Sequence, residues 1–291
     1  MTLLVRNEAD IIKENLDFHF RKGVDHVIAT DNGSTDETVD LLLPYIHSGV
    51  LTLLHEPEDN YDQAKWVTRM AMIAARDMGA DWILNNDADE FWWCADDSLK
   101  DLLANAPGNV SYLPRQNMLP SPRWATGNPL VHMTYAVVKP IDTGSSLPTL
   151  NRIGRKAIVR SEGLLSIGMG NHDASFSVEK VLFDAPIIGF HYPIRSFAQF
   201  EQKVRQGGAA LERNTELSPA MGAHWRRWFD MYKDGELRRE YEQLAPTAQK
   251  LKSLRAGGIV GQDRRVLNEF LSTKGPAVRA LLKAKNRFQT F

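Results

Sequence analysis

Cysteine occurs once in the 291 residues, as Cys94, which rules out an intramolecular disulfide and a thiolate metal cage and fits a reducing compartment. Long apolar runs are missing too. No stretch approaches the roughly 18 residues that a spanning helix needs, and Met1 to Val5 is too short for a signal h-region. The sequence therefore predicts no membrane span and a cytoplasmic protein, free or set against the inner face of a membrane. Neither sign of charge prevails: 35 Lys and Arg against 36 Asp and Glu give a formal net charge of -1, which offers no electrostatic basis for nucleic-acid binding. Any anionic ligand must be held locally. Internal repeats and low-complexity segments are also lacking, which excludes solenoid and linker architectures.

What is present is ordinary globular composition, 43% hydrophobic and 24% charged, in a chain long enough for one large domain or a domain with an appendage. Thr2-Leu3-Leu4-Val5 reads as a first strand, so near Met1 that no preceding domain is expected. Asn7 is placed to cap a helix carrying Ile12, Leu16 and Phe20 on one face and stopped by Gly23. Val24 to Ala29 gives a second strand. After it, in the polar turn from Asp31 to Thr38, Ser34 and Glu37 have the spacing of a capping box. Val50 to Leu54 is a third strand, and Trp66, Met70, Ile73 and Ala74 form the apolar stripe of a helix that ends at Gly79. Such alternation predicts a parallel, doubly wound sheet, because parallel strands need crossover helices.

A fourth strand, Trp82-Ile83-Leu84, runs into Asn85-Asn86-Asp87-Ala88-Asp89-Glu90-Phe91. In an extended segment Asp87 and Asp89 point to one face and Glu90 to the other. Converging carboxylates repel each other unless a cation lies between them, and Mg²⁺ or Mn²⁺ takes that kind of oxygen ligand. Solvated loop acids would give the same pattern. The position is what favours a site, since open α/β sheets bind ligands outside the carboxyl ends of their strands.

Beyond Cys94 the pattern changes. Ser98 to Leu103 reads as a short helix, and Val110 to Leu113, Leu130 to Val138, Lys156 to Arg160 and Val181 to Phe183 read as strands of a mixed or antiparallel half. Long polar loops, Pro114 to Asn128 and Asp142 to Asn151, are candidate binding loops in which Arg115, Arg123, Trp124 and Arg152 could meet an acceptor or phosphates. His172 and His191 each close a strand-like segment, so either could complete a metal shell. Ser196 and Gln199 cap a helix with Phe200 and Val204 inward, and the remainder is mostly helical, with an aromatic stripe of Trp225, Trp228, Phe229 and Tyr232.

Leu4-Val5-Arg6-Asn7-Glu8, Asp31-Asn32-Gly33-Ser34-Thr35-Asp36-Glu37-Thr38 and Asp87-Ala88-Asp89-Glu90-Phe91, in that order and each at a strand end, resemble the motifs of family-two glycosyltransferases with the GT-A fold, in their bacterial branch. The resemblance is close over residues 2 to 91 and looser through Gly170-Asn171-His172-Asp173 and His191-Tyr192-Pro193-Ile194-Arg195-Ser196. It implies an α/β fold with a doubly wound, mostly parallel central sheet, a mixed second half and a helical C-terminal region. The catalytic domain is expected over residues 1–206, with a nucleotide-binding half at 1–91 and an acceptor half at 92–206, and helices over 207–291.

By the same resemblance, Arg6, Glu8, Asp31, Asn32 and Asp87 bind the nucleotide of a donor, a UDP-sugar first of all. Asp87, Asp89 and His191, or alternatively His172, hold Mn²⁺ or Mg²⁺. Asp173 or Glu90 takes the proton from the hydroxyl of a glycan or other acceptor, and the anomeric centre inverts. Asn32 stands where many relatives have a second Asp, which leaves base preference open. A nucleotidyltransferase is the rival enzyme, but it would carry a Gly-rich basic loop after the first strand, where this chain has Arg6-Asn7-Glu8-Ala9-Asp10. A non-catalytic sugar-nucleotide or glycan binding module is the rival of another class.

Overall fold

Strand and helix alternate from the second residue onward in the computed structural model, which describes residues 1–58, 62–95, 98–120, 127–144, 146–213 and 222–275. In chain order the elements are β1 (Thr2–Val5), α1 (Ile12–Arg21), β2 (Val27–Asp31), α2 (Thr38–His47), β3 (Leu51–His55), α3 (Gln63–Arg76), β4 (Trp82–Asp87), β5 (Glu90–Cys94), α4 (Leu99–Ala104), β6 (Val110–Leu113) and β7 (Arg115–Asn117). There follow α5 (Pro129–His132), β8 (Tyr135–Val137), β9 (Lys156–Arg160), β10 (Leu164–Ile167), β11 (Ala174–Phe176) and β12 (Ile187–His191). The last elements are α6 (Phe197–Arg213), α7 (Ala223–Lys233), α8 (Leu237–Leu244), α9 (Ala248–Ala256), β13 (Val260–Gln262) and α10 (Arg265–Ser272). Among the described residues no helix is long and apolar enough to cross a membrane.

The chain divides into two compact units: Met1–Glu58, Asp62–Arg115 and Gly154–Phe190 in the first, Gln116–Ile153 and His191 onward in the second. In the first unit a six-stranded sheet runs β3-β2-β1-β4-β9-β6. β3, β2, β1 and β4 are parallel, and β9 and β6 are antiparallel additions, so the α/β class and the mostly parallel sheet expected from the sequence are found. Alternate residues bury alternate faces. Leu3, Val5, Val27, Ala29, Leu84 and Ile158 pack with Ile12 and Leu16 of α1 and Leu42 of α2, whereas Ile28, Ile83, Ala157 and Val159 pack with Val67, Met70 and Ala71 of α3 and with the β10-β11 ribbon. A further sheet runs β5-β12-β7, and the boundary between the units falls after Arg115 in β7 and before His191 in β12.

The second unit has two apolar clusters of its own. One gathers Phe200 and Val204 of α6 with Trp228 and Phe229 of α7 and Leu237 and Leu244 of α8; the other joins Leu119, Val137 and Leu150 to Leu254 and Val260. Trp228 and Phe229 of the aromatic stripe are therefore core. Gly208 of α6 is needed there, because a Cβ would stand 2.3 Å from Phe229 Cγ. Ser196 caps α6 as its sequence suggests, its Oγ accepting from Gln199 N at 3.0 Å.

Four local readings change. Leu130 to Val138 is not one strand, because Asn128 Oδ1 accepts from Leu130 N at 3.0 Å and Pro129 opens a short helix, leaving only Tyr135–Val137 extended. Asn7 does not cap α1: it adopts a left-handed φ of 56° and its Oδ1 accepts from Thr35 N and Asp36 N at 2.7 and 3.2 Å. Ser34 does not open a capping box; Asp36 caps Thr38 N at 3.0 Å, and Ser34 Oγ receives Asn7 N at 3.0 Å. Val181 to Phe183 contributes only an isolated bridge, Val110 to Leu182.

Candidate functional site

The parallel register sets three loops side by side. Leu4 of β1 pairs with Asp87 of β4 on one side and with Thr30 of β2 on the other, and Val5 pairs with Asp31. Asp31 and Asp87 thus end the two strands that flank β1, and Glu8 follows β1 itself. The strand β4 extends to Asp87, and the chain turns at Ala88-Asp89 before β5 begins at Glu90. The extended geometry expected for the acids is replaced by a tight turn.

That turn is fastened from below by α1. Asn15 Nδ2 donates to the carbonyls of Ala88 and Glu90 at 2.9 and 2.8 Å, and Asn86 Nδ2 donates to Glu90 O at 3.2 Å. His19, one helical turn on, donates from Nδ1 to Asn15 O at 2.8 Å and accepts from Trp92 N through Nε2 at 3.2 Å. Both side chains are fully buried, and desolvation lowers the His19 pKa to about 3, so the ring is neutral as this pattern requires. This clamp is not legible in the sequence, since its polar residues lie on a helix face that reads as core by its neighbours Ile12 and Leu16.

Cations face the acids. Lys156 of β9, 1% exposed at its side chain, donates from Nζ to Asp87 Oδ2 at 2.5 Å and to Gly170 O at 2.8 Å, and lies 3.7 Å from Glu90 Oε1. Arg115 pairs with Glu90 through Nη1. Glu90 has no exposed surface, and its burial pushes the carboxyl pKa up against the opposing pull of Lys156 and Arg115. Asp87 also accepts from Asn171 Nδ2 at 3.0 Å through Oδ1. Asp89 is itself buried, at 3% exposure. Lys156 was legible only as one end of a strand, because its partner Asp87 is 69 residues away in sequence.

The nucleotide-binding candidates are tied into their loops. Asp31 accepts from Ser34 N at 3.2 and 3.3 Å, Glu8 N donates to Thr38 Oγ1 at 2.8 Å, and Arg6 Nη1 donates to Asn32 Oδ1 at 3.3 Å. Asn32 spends its amide on the carbonyls of Glu56 and Glu58 at 3.1 and 2.7 Å. A second Asp there could not make those donations, which explains the amide at this position.

His172 and Asp173 stand at one end of the β10-β11 ribbon. His172 Nδ1 donates to Arg155 O at 2.6 Å and the ring lies between Gly154 and Gly170, where an added Cβ would come within 2.8 and 2.6 Å of it. Burial first, with Lys156 and Arg115 after it, lowers the His172 pKa. Asp173 accepts from Tyr112 Oη at 2.5 Å and from Lys180 Nζ at 3.1 Å, and the Tyr112 hydrogen bond leads in holding its carboxyl below the usual range. In the second unit His191 Nδ1 lies 2.7 Å from Asn117 Oδ1, and Asn117 Nδ2 donates to Thr149 O at 2.9 Å. The amide's other end being fixed, Nδ1 carries the proton and Nε2 the lone pair, which is the tautomer a metal ligand needs. Arg123 and Trp124 lie outside the described residues.

No family model matches the chain, and no curated protein matches it. Among solved structures it is similar to residues 1–349 of TarS from S. aureus in complex with UDP, at 14% identity over 99% of this chain and 86% of that one, with a TM-score of 0.40. It is also similar to the mannosyltransferase PcManGT from Pyrobaculum calidifontis in complex with GDP-Man and Mn²⁺, at 15% identity over 99% and 85% of the two chains, with a TM-score of 0.34. A glucose-1-phosphate thymidylyltransferase of Bacillus anthracis follows at 11% identity, 82% of each chain and a TM-score of 0.30. All are distant, and the functional reading rests on this chain's own side chains.

Proposed function

We propose that the protein is a glycosyltransferase that moves a sugar from a nucleotide-diphosphate sugar to an acceptor hydroxyl with inversion, using a divalent cation. The observation that carries this reading is the register that sets Asp31 and Asp87 on either side of β1, with an acidic turn fixed by Asn15 and His19 beside them. Ligands of open α/β sheets bind at such strand ends. The motif resemblance gives the site its chemistry.

Within it, Glu8 and Asp31 are the proposed acceptors for the nucleoside, and Arg6 and Asn32, hydrogen-bonded to each other, are proposed nucleotide contacts beside them. Asp89 is the acid proposed to hold Mn²⁺ or Mg²⁺; carboxylate oxygen suits a hard cation, and a turn with its backbone already tied suits a ligand that must not move. His191 is the proposed imidazole ligand, and His172 its alternative. When bound, such an ion neutralises charge developing on a diphosphate leaving group. Asp173, whose Oδ1 accepts from Tyr112 and Lys180, is the residue proposed to take the acceptor's proton. Glu90, enclosed by Arg115 and Lys156, fixes the cations around the turn instead.

A panel of UDP-, GDP- and dTDP-sugars with Mn²⁺, read by melting temperature and then by nucleoside diphosphate release with a glycan acceptor, tests the reading. Stabilisation by one donor followed by release is expected. Stabilisation without release would favour a binding module, and pyrophosphate release from a nucleoside triphosphate and a sugar phosphate would favour a nucleotidyltransferase.

A further inference from the structure

Leu182 is the most exposed large hydrophobic side chain among the described residues, at 65%, and Val178 and Val181 near it are exposed at 44% and 46%. All three lie in the first unit. The backbone neighbour of Leu182 is Val110, which opens β6, the strand that ends the six-stranded sheet on this side. Val110 N donates to Val181 O at 3.4 Å and Val110 O accepts from Phe183 N at 3.1 Å, a single parallel bridge centred on Leu182. Both bonds use the residues on either side of Leu182, so its own N–H and C=O are turned away from β6. Neither has a partner among the described residues. Val110 is fully buried in the cluster that packs on α3, and in-register partners share a face, so Leu182 carries that apolar face uncovered past the edge of the sheet.

An open edge of this kind is a template for another strand. Charge usually guards such edges, and here Lys180 and Asp184, both exposed, stand two residues before and two residues after Leu182. Their opposite signs select a partner. When two copies of the segment pair antiparallel about a two-fold axis at Leu182, Lys180 of each meets Asp184 of the other, and Leu182 exchanges both N–H···O=C bonds with its counterpart. A parallel, in-register pairing would set Lys180 beside Lys180 instead. Lys180 Nζ reaches Asp173 Oδ1 at 3.1 Å in its own chain, but an ammonium has three N–H donors, so it has others to offer. Pro186 has no N–H to give and confines the pairing to this short stretch.

We propose that Lys180-Val181-Leu182-Phe183-Asp184 is a dimerisation edge, on which a second copy of this chain pairs antiparallel about Leu182 and joins two sheets into one. The pairing is independent of the donor reading given above.

Sedimentation velocity over a concentration series, with hydrogen exchange at the Leu182 amide, tests it. The wild-type chain should pass from monomer to dimer as concentration rises, and the Leu182 amide should exchange more slowly in the dimer. Leu182→Asp sets two carboxylates at the axis and should leave monomer throughout; the side chain is exposed, so the fold is spared. Lys180→Asp and Asp184→Lys each turn two opposite-charge pairs into two like-charge pairs, and each should weaken the dimer about tenfold. Combining the two reversals restores opposite pairs and should return wild-type association. A wild-type chain that stays monomeric up to its solubility limit overturns the proposal. So does a dimer that survives Leu182→Asp, keeps its strength in both single reversals, or is not recovered when they are combined.

Discussion

Asn15 reaches from α1 across 75 residues of sequence to donate to the carbonyl of Glu90 at 2.8 Å, and the same amide nitrogen serves Ala88 at 2.9 Å. Asn15→Leu removes the donor and leaves both buried carbonyls with less than they need. An unsatisfied buried group costs about 1–3 kcal/mol, so urea unfolding should show a loss of that order, and Mn²⁺ affinity should fall more than in a core variant of equal stability such as Leu16→Ala. Equal Mn²⁺ affinities in the two would mean that the clamp serves the fold alone.

His19 gives stability a defined pH dependence. Its folded pKa of about 3 lies below the ordinary imidazole value of roughly 6.5. Between the two, the unfolded chain binds a proton that the native one refuses, so this contribution is complete above about pH 6.5 and is lost as pH falls towards 3, by about 1.4 kcal/mol per unit. Urea titrations at pH 7 and 5 should show this slope reduced by one proton in His19→Gln. An unchanged slope would place the proton elsewhere.

Donor binding through a cation should depend on Asp89. Asp89→Asn keeps the volume and removes the charge, and should abolish the extra melting-temperature rise that Mn²⁺ gives to UDP. A metal-dependent rise equal to that of wild type would move the ion to other residues.

Glu8 and Asp31 are separable from the phosphates. Alanine at either should weaken UDP more than pyrophosphate with metal, since both are proposed to touch only the nucleoside. Equal losses would mean that their work is in bracing the loops.

The two histidines divide by partner. His191→Ala should weaken Mn²⁺ binding, and Asn117→Leu, which frees the ring's tautomer, should weaken it about 10- to 100-fold. His172→Ala should spare the metal and lower turnover by disturbing Asp173. The reverse pattern would make His172 the ligand.

The sheet was legible because strands buried on both faces read as short apolar runs and the intervening helices keep a regular stripe; Leu3, Ile28 and Met70 are where their spacing puts them. The acids were legible as a motif but not as a shape, since the turn at Ala88-Asp89 depends on Asn15 and Asn86 donating to Glu90 O. Lys156, Asn171 and His19 were illegible as site residues for one reason. Each acquires its role from a partner distant in sequence, and a lysine at the start of a strand or a histidine on an apolar helix face looks local until that partner is known.

The ring of His172 fills space that only two bare α-carbons, Gly154 and Gly170, leave beside it. Gly154 needs no left-handed backbone, so it is the ring alone that forbids a side chain there. Gly154→Ala should then be harmful with histidine at 172 and nearly silent with glycine there, a strongly non-additive pair. In a library of variants the two positions would change together or not at all, and such linked tolerance would mark the His172 cradle without any assay of activity.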